Sequence, residues 1–177
     1  MKHIKNLTLR AILAAVICVI APLSIPAGPI PITAATLIIY IVCACTDAGF
    51  SVPAVMLYIF LGAFGLPVFS GFSGGLQILS GVTGGFIIGY LPCAAVISFA
   101  CSRFPRKKYV YPLSMAIGTA LCYLFGILWF LFVGETSVSS ALGTLILPFL
   151  VGDVIKIAVA CAVSIPLRKK FSNILKQ

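Results

Sequence analysis

Six apolar runs divide this chain: Leu7–Ala21, Ile32–Cys45, Ser51–Leu66, Val82–Cys101, Tyr111–Val133 and Leu142–Leu167. Pro, Gly, hydroxyl or basic residues collect in the short segments between them. A membrane helix needs roughly 20 apolar residues to cross the hydrocarbon core. The pattern therefore predicts an all-α integral membrane protein with six transmembrane helices in one membrane domain, residues 1–177. The second and third runs are short for a full crossing, so they are expected to tilt or to reach only part of the way. Pro53 falls near the start of the third run, where a missing N–H matters little. Pro67 follows its end as a stop signal.

Composition supports the same class. Only 8% of the 177 residues are charged and 62% are hydrophobic, which excludes an ordinary soluble globule. The net charge of +9 would suggest nucleic acid in a soluble protein. Here the basic residues sit in clusters between apolar runs, which points to topology and anionic lipid instead. Lys2, Lys5 and Arg10 lie at the first run, Arg103, Arg106, Lys107 and Lys108 between the fourth and fifth, and Arg168, Lys169, Lys170 and Lys176 after the sixth. With six spans these clusters share one side, and they hold 11 of the 12 Lys and Arg. The positive-inside rule then predicts a protein of the cell membrane with both termini cytoplasmic. The start of the chain is basic and then apolar, like a signal peptide, but Pro22 to Pro31 offers no convincing cleavage site, so a retained first span is expected. No internal repeat is evident, so the inverted-repeat signature of many secondary transporters is missing.

The twelfth cation, Lys156, lies inside the sixth run together with Asp153. Each such charge near the centre of a membrane helix costs about 2.5–3.5 kcal/mol on insertion scales. At i and i+3 the two share one helix face. Intramembrane charges usually face the protein interior and mark a substrate or ion pathway; the alternative is a structural ion pair locking this helix to a neighbour. Counted from Leu142, Asp153 lies about 16 Å along the helix, near mid-membrane and at the floor of an outward-facing pocket.

Other candidate groups surround this pair in the sequence. The segment 24–33 is stiffened by Pro26, Pro29 and Pro31, and Thr33 and Thr36 sit just inside the following helix; taken alone, it reads as a proline turn with a Thr cap rather than as a binding element. The segment 65–86 is rich in Gly, aromatic and hydroxyl residues and carries no charge. Its Gly74 and Gly75 allow close backbone approach to a ligand, and Gln77 adds an amide that both donates and accepts. The interleaved Phe69, Phe72, Leu76 and Ile78 favour a packed lid over a flexible linker. Tyr90, Tyr123 and Trp129 are candidate pocket aromatics, although packing or interface anchoring is the better reading of each from sequence alone. Ala11 and Ala15 form a small-xxx-small pair suited to close helix approach, hence to docking a second protein.

Enzymatic chemistry finds little support. The only His is His3, and no HExxH, GxSxG, paired carboxylates or P-loop occurs. The seven Cys lie within or at the ends of apolar runs with no CxxC, as small apolar residues rather than metal ligands or a disulfide framework. No catalytic residue, metal or cofactor is expected.

Three stretches, Gly-Leu-Pro-Val-Phe at 65–69, the Gly-Gly pairs at 74–75 and 84–85, and Pro-Phe-Leu-Val-Gly-Asp-Val-Ile-Lys at 148–156, resemble the BioY family, the biotin-binding S components of energy-coupling factor (ECF) vitamin transporters. The resemblance extends over nearly the whole chain. It implies a six-helix membrane protein that binds biotin from outside with high affinity. The expected partners are a transmembrane T component and two ATPases, within a lipid bilayer and without nucleic acid. It matches Asp153 and Lys156 to the family's Gly-Asp-x-x-Lys polar pair, and Ala11 and Ala15 to the motif that contacts the T component. The chain departs from the family pattern at Val151 and Val82, where Pro is expected, and at Ala35, where Gln is common. On this view Asp153 accepts from the ureido N–H groups, and Lys156 binds the ureido carbonyl or orients Asp153 and also helps compensate the ligand's negative charge. Loop amides and Gln77 take the tail. Two other readings stay open: an autonomous proton-coupled carrier with Asp153 as proton site, and a membrane scaffold whose charged pair is structural.

Overall fold

The computed structural model describes residues 2–25, 32–133 and 147–175. The first helix, α1 (Lys2–Ile20), begins at the chain's basic start rather than at Leu7, and ends just before Pro22. A two-residue strand, β1 (Ser24–Ile25), pairs antiparallel with β2 (Ile32–Thr33), Ser24 opposite Thr33. Among the described residues five further long helices follow: α2 (Ala35–Cys45), α3 (Ala48–Ala63), α5 (Gly84–Arg103), α6 (Val110–Val133) and α7 (Leu147–Leu175). A 3-10 turn (Ser70–Phe72) and the short α4 (Leu76–Ser80) lie between α3 and α5.

Of the six main helices, α1, α5 and α6 are each long and apolar enough to cross a bilayer, whereas α2 and α3 are shorter apolar helices. The 11 residues of α2 rise only about 16 Å. Eight of them are buried, and α2 touches α1, α3, α5 and α7. A helix apolar on every side belongs in a core, so the shortest main helix is the central one. The bundle surface is formed elsewhere: 17% of the apolar window of α1 and 22% of that of α6 are buried, against 56% for α5. The most extensive interface joins α5 and α6, which approach so closely at Gly85 that a Cβ there would stand 2.2 Å from the Cβ of Trp129.

Two expectations about α3 are corrected. The helix starts at Ala48, so Pro53 lies in its interior rather than near its start. Proline cannot donate to the carbonyl four residues earlier, which here is Gly49 O. Arg10 of α1 fills that vacancy: its Nε donates to Gly49 O at 3.0 Å, and its guanidinium stacks over Phe50. At the other end α3 stops at Ala63, before Pro67. Gly65, at φ 95°, donates to Gly62 O, and Leu66 N–H donates to Leu61 O. This is the Schellman closure of a helix end, which needs a left-handed residue at that place.

A Thr cap on α2 is not found. Ala34 occupies the N-cap position without a side-chain hydrogen bond, and Thr33 belongs to β2. At the basic end of the bundle Arg168 of α7 is buried, although the sequence places it among topology-setting surface charges. Its guanidinium donates to Ala44 O at 2.6 Å, to Thr46 O at 3.4 Å and to Asp47 Oδ1 at 2.9 Å. It thereby closes the C-terminal end of α2 and ties α7 to the α2–α3 turn.

Candidate ligand cavity

At the end of the bundle opposite Arg168, five helices and the segment after α3 enclose a cavity of about 240 Å³. Thr33 stands at its edge before α2, which supplies Ala35 and Thr36. Tyr58 comes from α3, Phe86, Ile87 and Tyr90 from α5, and Thr119, Cys122 and Tyr123 from α6. Phe69, Ser70, Ser73, Ile78 and Thr83 form the remaining wall. Asp153 and Lys156 project into it from α7, one helical turn apart.

Asp153 is buried and Lys156 largely so, with side-chain exposures of 9% and 13%. Asp153 Oδ2 accepts a hydrogen bond from the Tyr123 hydroxyl. Lys156 Nζ lies 3.4 Å from Asp153 Oδ1 and donates to Thr36 Oγ1 at 3.0 Å. Tyr123 is in turn held edge-on by the Phe86 ring, with centroids 6.4 Å apart. Behind the wall the Tyr40 hydroxyl sits 2.5 Å from Thr119 Oγ1, which itself donates to Met115 O at 2.8 Å. The positions of Asp153 and Lys156 are thus set by α2 and α6 as well as by their own helix.

Counting donors and acceptors shows what this arrangement can hold. A carboxylate has about four lone-pair sites and an ammonium three donors. Tyr123 and Lys156 use one acceptor site on each oxygen of Asp153, which leaves acceptor capacity on both. Lys156 has directed two donors, to Thr36 and Asp153, and among the described residues keeps one. Two acceptors beside one donor, in a pocket lined by Tyr58, Phe69, Phe86 and Ile87, complement a cyclic urea carrying apolar substituents.

Of the residues singled out from the sequence, Asp153, Lys156, Thr33 and Tyr90 line the cavity, and Tyr123 joins them. Gln77, Gly74 and Gly75 are not in its wall. Gln77 is exposed, and its Nε2 donates to Gly74 O at 3.2 Å. Gly75 has φ 104° and donates to Gly62 O at 2.7 Å, so its conformational freedom serves to fasten the segment onto α3. Trp129 also lies outside the wall: its Nε1 donates to Gly81 O at 3.0 Å and anchors the turn between α4 and α5 to α6. The expected lid packing holds only in part. Phe69 is buried edge-on against Tyr58, with centroids 5.6 Å apart, and Ile78 is half-buried, but Phe72 and Leu76 are exposed. Ala11 and Ala15 lie on the outer surface of α1. Thr36 and Ser70 are the wall residues whose importance the sequence least reveals. Thr36 reads equally as a helix-start residue, and Ser70 is one of several hydroxyls in a Gly-rich stretch.

A bundle of apolar helices enclosing a buried polar pair in a cavity near one end defines a multi-pass membrane protein with a small-molecule binding site. The chain belongs to the BioY family, whose family model matches residues 1–173. It is 35% identical over 151 residues to the biotin transporter BioY2 of Lactococcus lactis subsp. cremoris, covering 85% of this chain and 83% of that one. It is 31% identical over 166 residues to the biotin transporter BioY of Thermotoga maritima, covering 93% and 96%. Its fold matches the crystal structure of the S-component for biotin from an ECF-type ABC transporter with a TM-score of 0.84 at 23% identity, over 95% of this chain and 93% of that one.

Proposed function

We propose that this protein binds biotin at the Asp153–Lys156 cavity and serves as the substrate-binding S component of an ECF-type biotin uptake system. The observation that carries the reading is the unused hydrogen-bonding capacity of the buried pair: two acceptor sites and one donor, matching the two N–H groups and one carbonyl of the ureido ring. Tyr58, Phe69 and Phe86 supply the apolar surface for the thiophane ring, as small-molecule sites usually do. The names of the relatives from Lactococcus lactis and Thermotoga maritima agree with this ligand.

In this reading both termini are cytoplasmic, as the positive-inside rule favours for these basic clusters, and the cavity opens toward the outside of the cell membrane. Energy for uptake then comes from partners, a transmembrane T component and two ATPases, since the chain has no P-loop of its own. Its role is to bind and carry, not to catalyse. Ala11 and Ala15, exposed on α1, give a smooth face on which the T component can approach closely. Gln77, Gly74 and Gly75 lie away from the wall and act as supports of the loop segment in this reading, while Thr33 and Tyr90 contact the ligand.

Titration of biotin into the purified, detergent-solubilised chain tests the ligand, and saturable one-to-one binding is expected. In cells, uptake should require the ATPases and survive collapse of the proton gradient. The reverse pattern would favour an autonomous carrier with Asp153 as proton site. Ala11→Trp should leave biotin binding intact and prevent assembly with the T component, read by co-purification; normal assembly would remove α1 from the docking face.

A further inference from the structure

Among the described residues, one buried side-chain oxygen has no hydrogen-bond partner, Ser70 Oγ. Ser70 lines the cavity. Its neighbour Ser73, also in the wall, directs its own hydroxyl to Ser70 O at 2.8 Å. The turn is further closed by Phe69 N–H donating to Ser73 O at 2.9 Å, and is fastened to the start of the bundle by Gly71 N–H donating to Pro22 O at 3.0 Å. The backbone therefore fixes Ser70 while its hydroxyl holds nothing. Buried hydroxyls almost always have a partner, and a cavity-lining exception is explained by a partner that arrives with the ligand.

The distribution of cations narrows which ligand group that is. No Lys or Arg occurs in residues 11–102 or 109–155, and Lys156 is the one cation between 109 and 167. Lys156 is already engaged by Asp153 and Thr36. A ligand with a ureido ring and a carboxylate tail finds its ring partners at Asp153 and Lys156. The carboxylate, which only accepts hydrogen bonds, then has no second cation to meet and is repelled by Asp153. It needs a neutral donor with no other task, and of the wall hydroxyls that make no hydrogen bond among the described residues, such as those of Tyr58, Ser70 and Thr83, the Ser70 oxygen is the buried one.

We propose that the Ser70 hydroxyl donates to the terminal carboxylate of the ligand's acyl tail, so that this protein recognises the tail through a neutral donor rather than through a second positive charge. The inference rests on the biotin reading above and adds a tail subsite to it. It also replaces Gln77, whose amide is turned to Gly74 outside the wall.

The test compares biotin with uncharged biotinamide, titrated into the full wild-type chain and into Ser70→Ala in detergent, alongside the thermal midpoint of each protein without ligand. Hydrogen bonds to charged groups are stronger than those to neutral ones, so Ser70→Ala should weaken biotin binding by about tenfold to a hundredfold and biotinamide binding by only a few fold. The ligand-free midpoint should not fall, because the variant removes an unpartnered hydroxyl. Unchanged biotin affinity in Ser70→Ala would overturn the subsite while leaving the biotin reading intact. Equal losses for both ligands, with a lowered ligand-free midpoint, would likewise overturn it and assign Ser70 to structure. A wild-type chain that binds neither compound would overturn the biotin reading and the subsite together.

Discussion

Two ion pairs involve α7 at opposite ends of the bundle, one within the helix and one to Asp47, and they differ in what they leave unused. At the basic end Arg168 is buried, and its guanidinium donates to two carbonyls and to Asp47, whose side chain is half exposed. These bonds satisfy the end of α2, and the arrangement has the form of a helix closure. At the cavity end the Asp153–Lys156 contact is 3.4 Å long, longer than the roughly 2.7–2.9 Å of a strong charge-assisted hydrogen bond. Both groups keep free hydrogen-bonding capacity and face open volume. Both pairs also reach α2, through Ala44 and Thr46 at one end and Thr36 at the other. The contrast teaches that burial and charge alone do not mark a binding site. Residual valence beside a cavity does.

The largest effect expected from breaking this contrast is on stability. Arg168→Ala strips three acceptors of their donor and should destabilise the fold by about 3 kcal/mol, mostly from the two carbonyls left unsatisfied, since Asp47 is half exposed. Thermal unfolding in detergent reads this, and biotin affinity measured well below the transition should be unchanged. A variant that unfolds normally but binds poorly would make the two ends one functional unit.

Asp153→Asn reverses the pattern. It should weaken biotin binding by about 1–3 kcal/mol, the scale of a lost buried charged hydrogen bond. Unchanged affinity in a folded variant would remove the ureido assignment. A smaller effect belongs to Tyr123→Phe, which deletes the hydroxyl that holds Asp153 Oδ2 without touching the charge. Affinity should fall by about 0.5–1.5 kcal/mol, with biotin still bound one-to-one. A loss as large as that of Asp153→Asn would make Tyr123 a direct ligand contact rather than a positioning residue.

Much of this molecule was legible in the sequence because its strongest signals are local. Apolar runs announce helices, and two charges three residues apart in such a run announce a shared inward face. The reading weakened where the deciding partner was distant in the chain. Arg168 stands in a basic cluster and looked like its neighbours, because Ala44 and Asp47, which bury it, lie more than 120 residues away. Asp47 carried no signal of its own for the same reason. Pro53 looked like a helix start because the donor that repairs its missing hydrogen bond, Arg10, comes from another helix. Gln77 drew notice as the one amide in an uncharged loop, yet a local bond to Gly74 turns it away from the cavity. Ser70, seven residues earlier in the same segment, offers a commoner group and gains its interest only from the enclosure around it. Spacing finds groups that act within one element, whereas the number of unused hydrogen-bonding sites depends on the whole fold.

The most direct test of the account is a calorimetric titration of biotin into the purified wild-type chain and into Asp153→Asn, each first shown to be folded. Saturable one-to-one binding by the wild type that is weakened by about 1–3 kcal/mol in the variant is the predicted result. Equal affinity in the two proteins, or no heat of binding from a folded wild type, would contradict the claim that this buried pair is a biotin site.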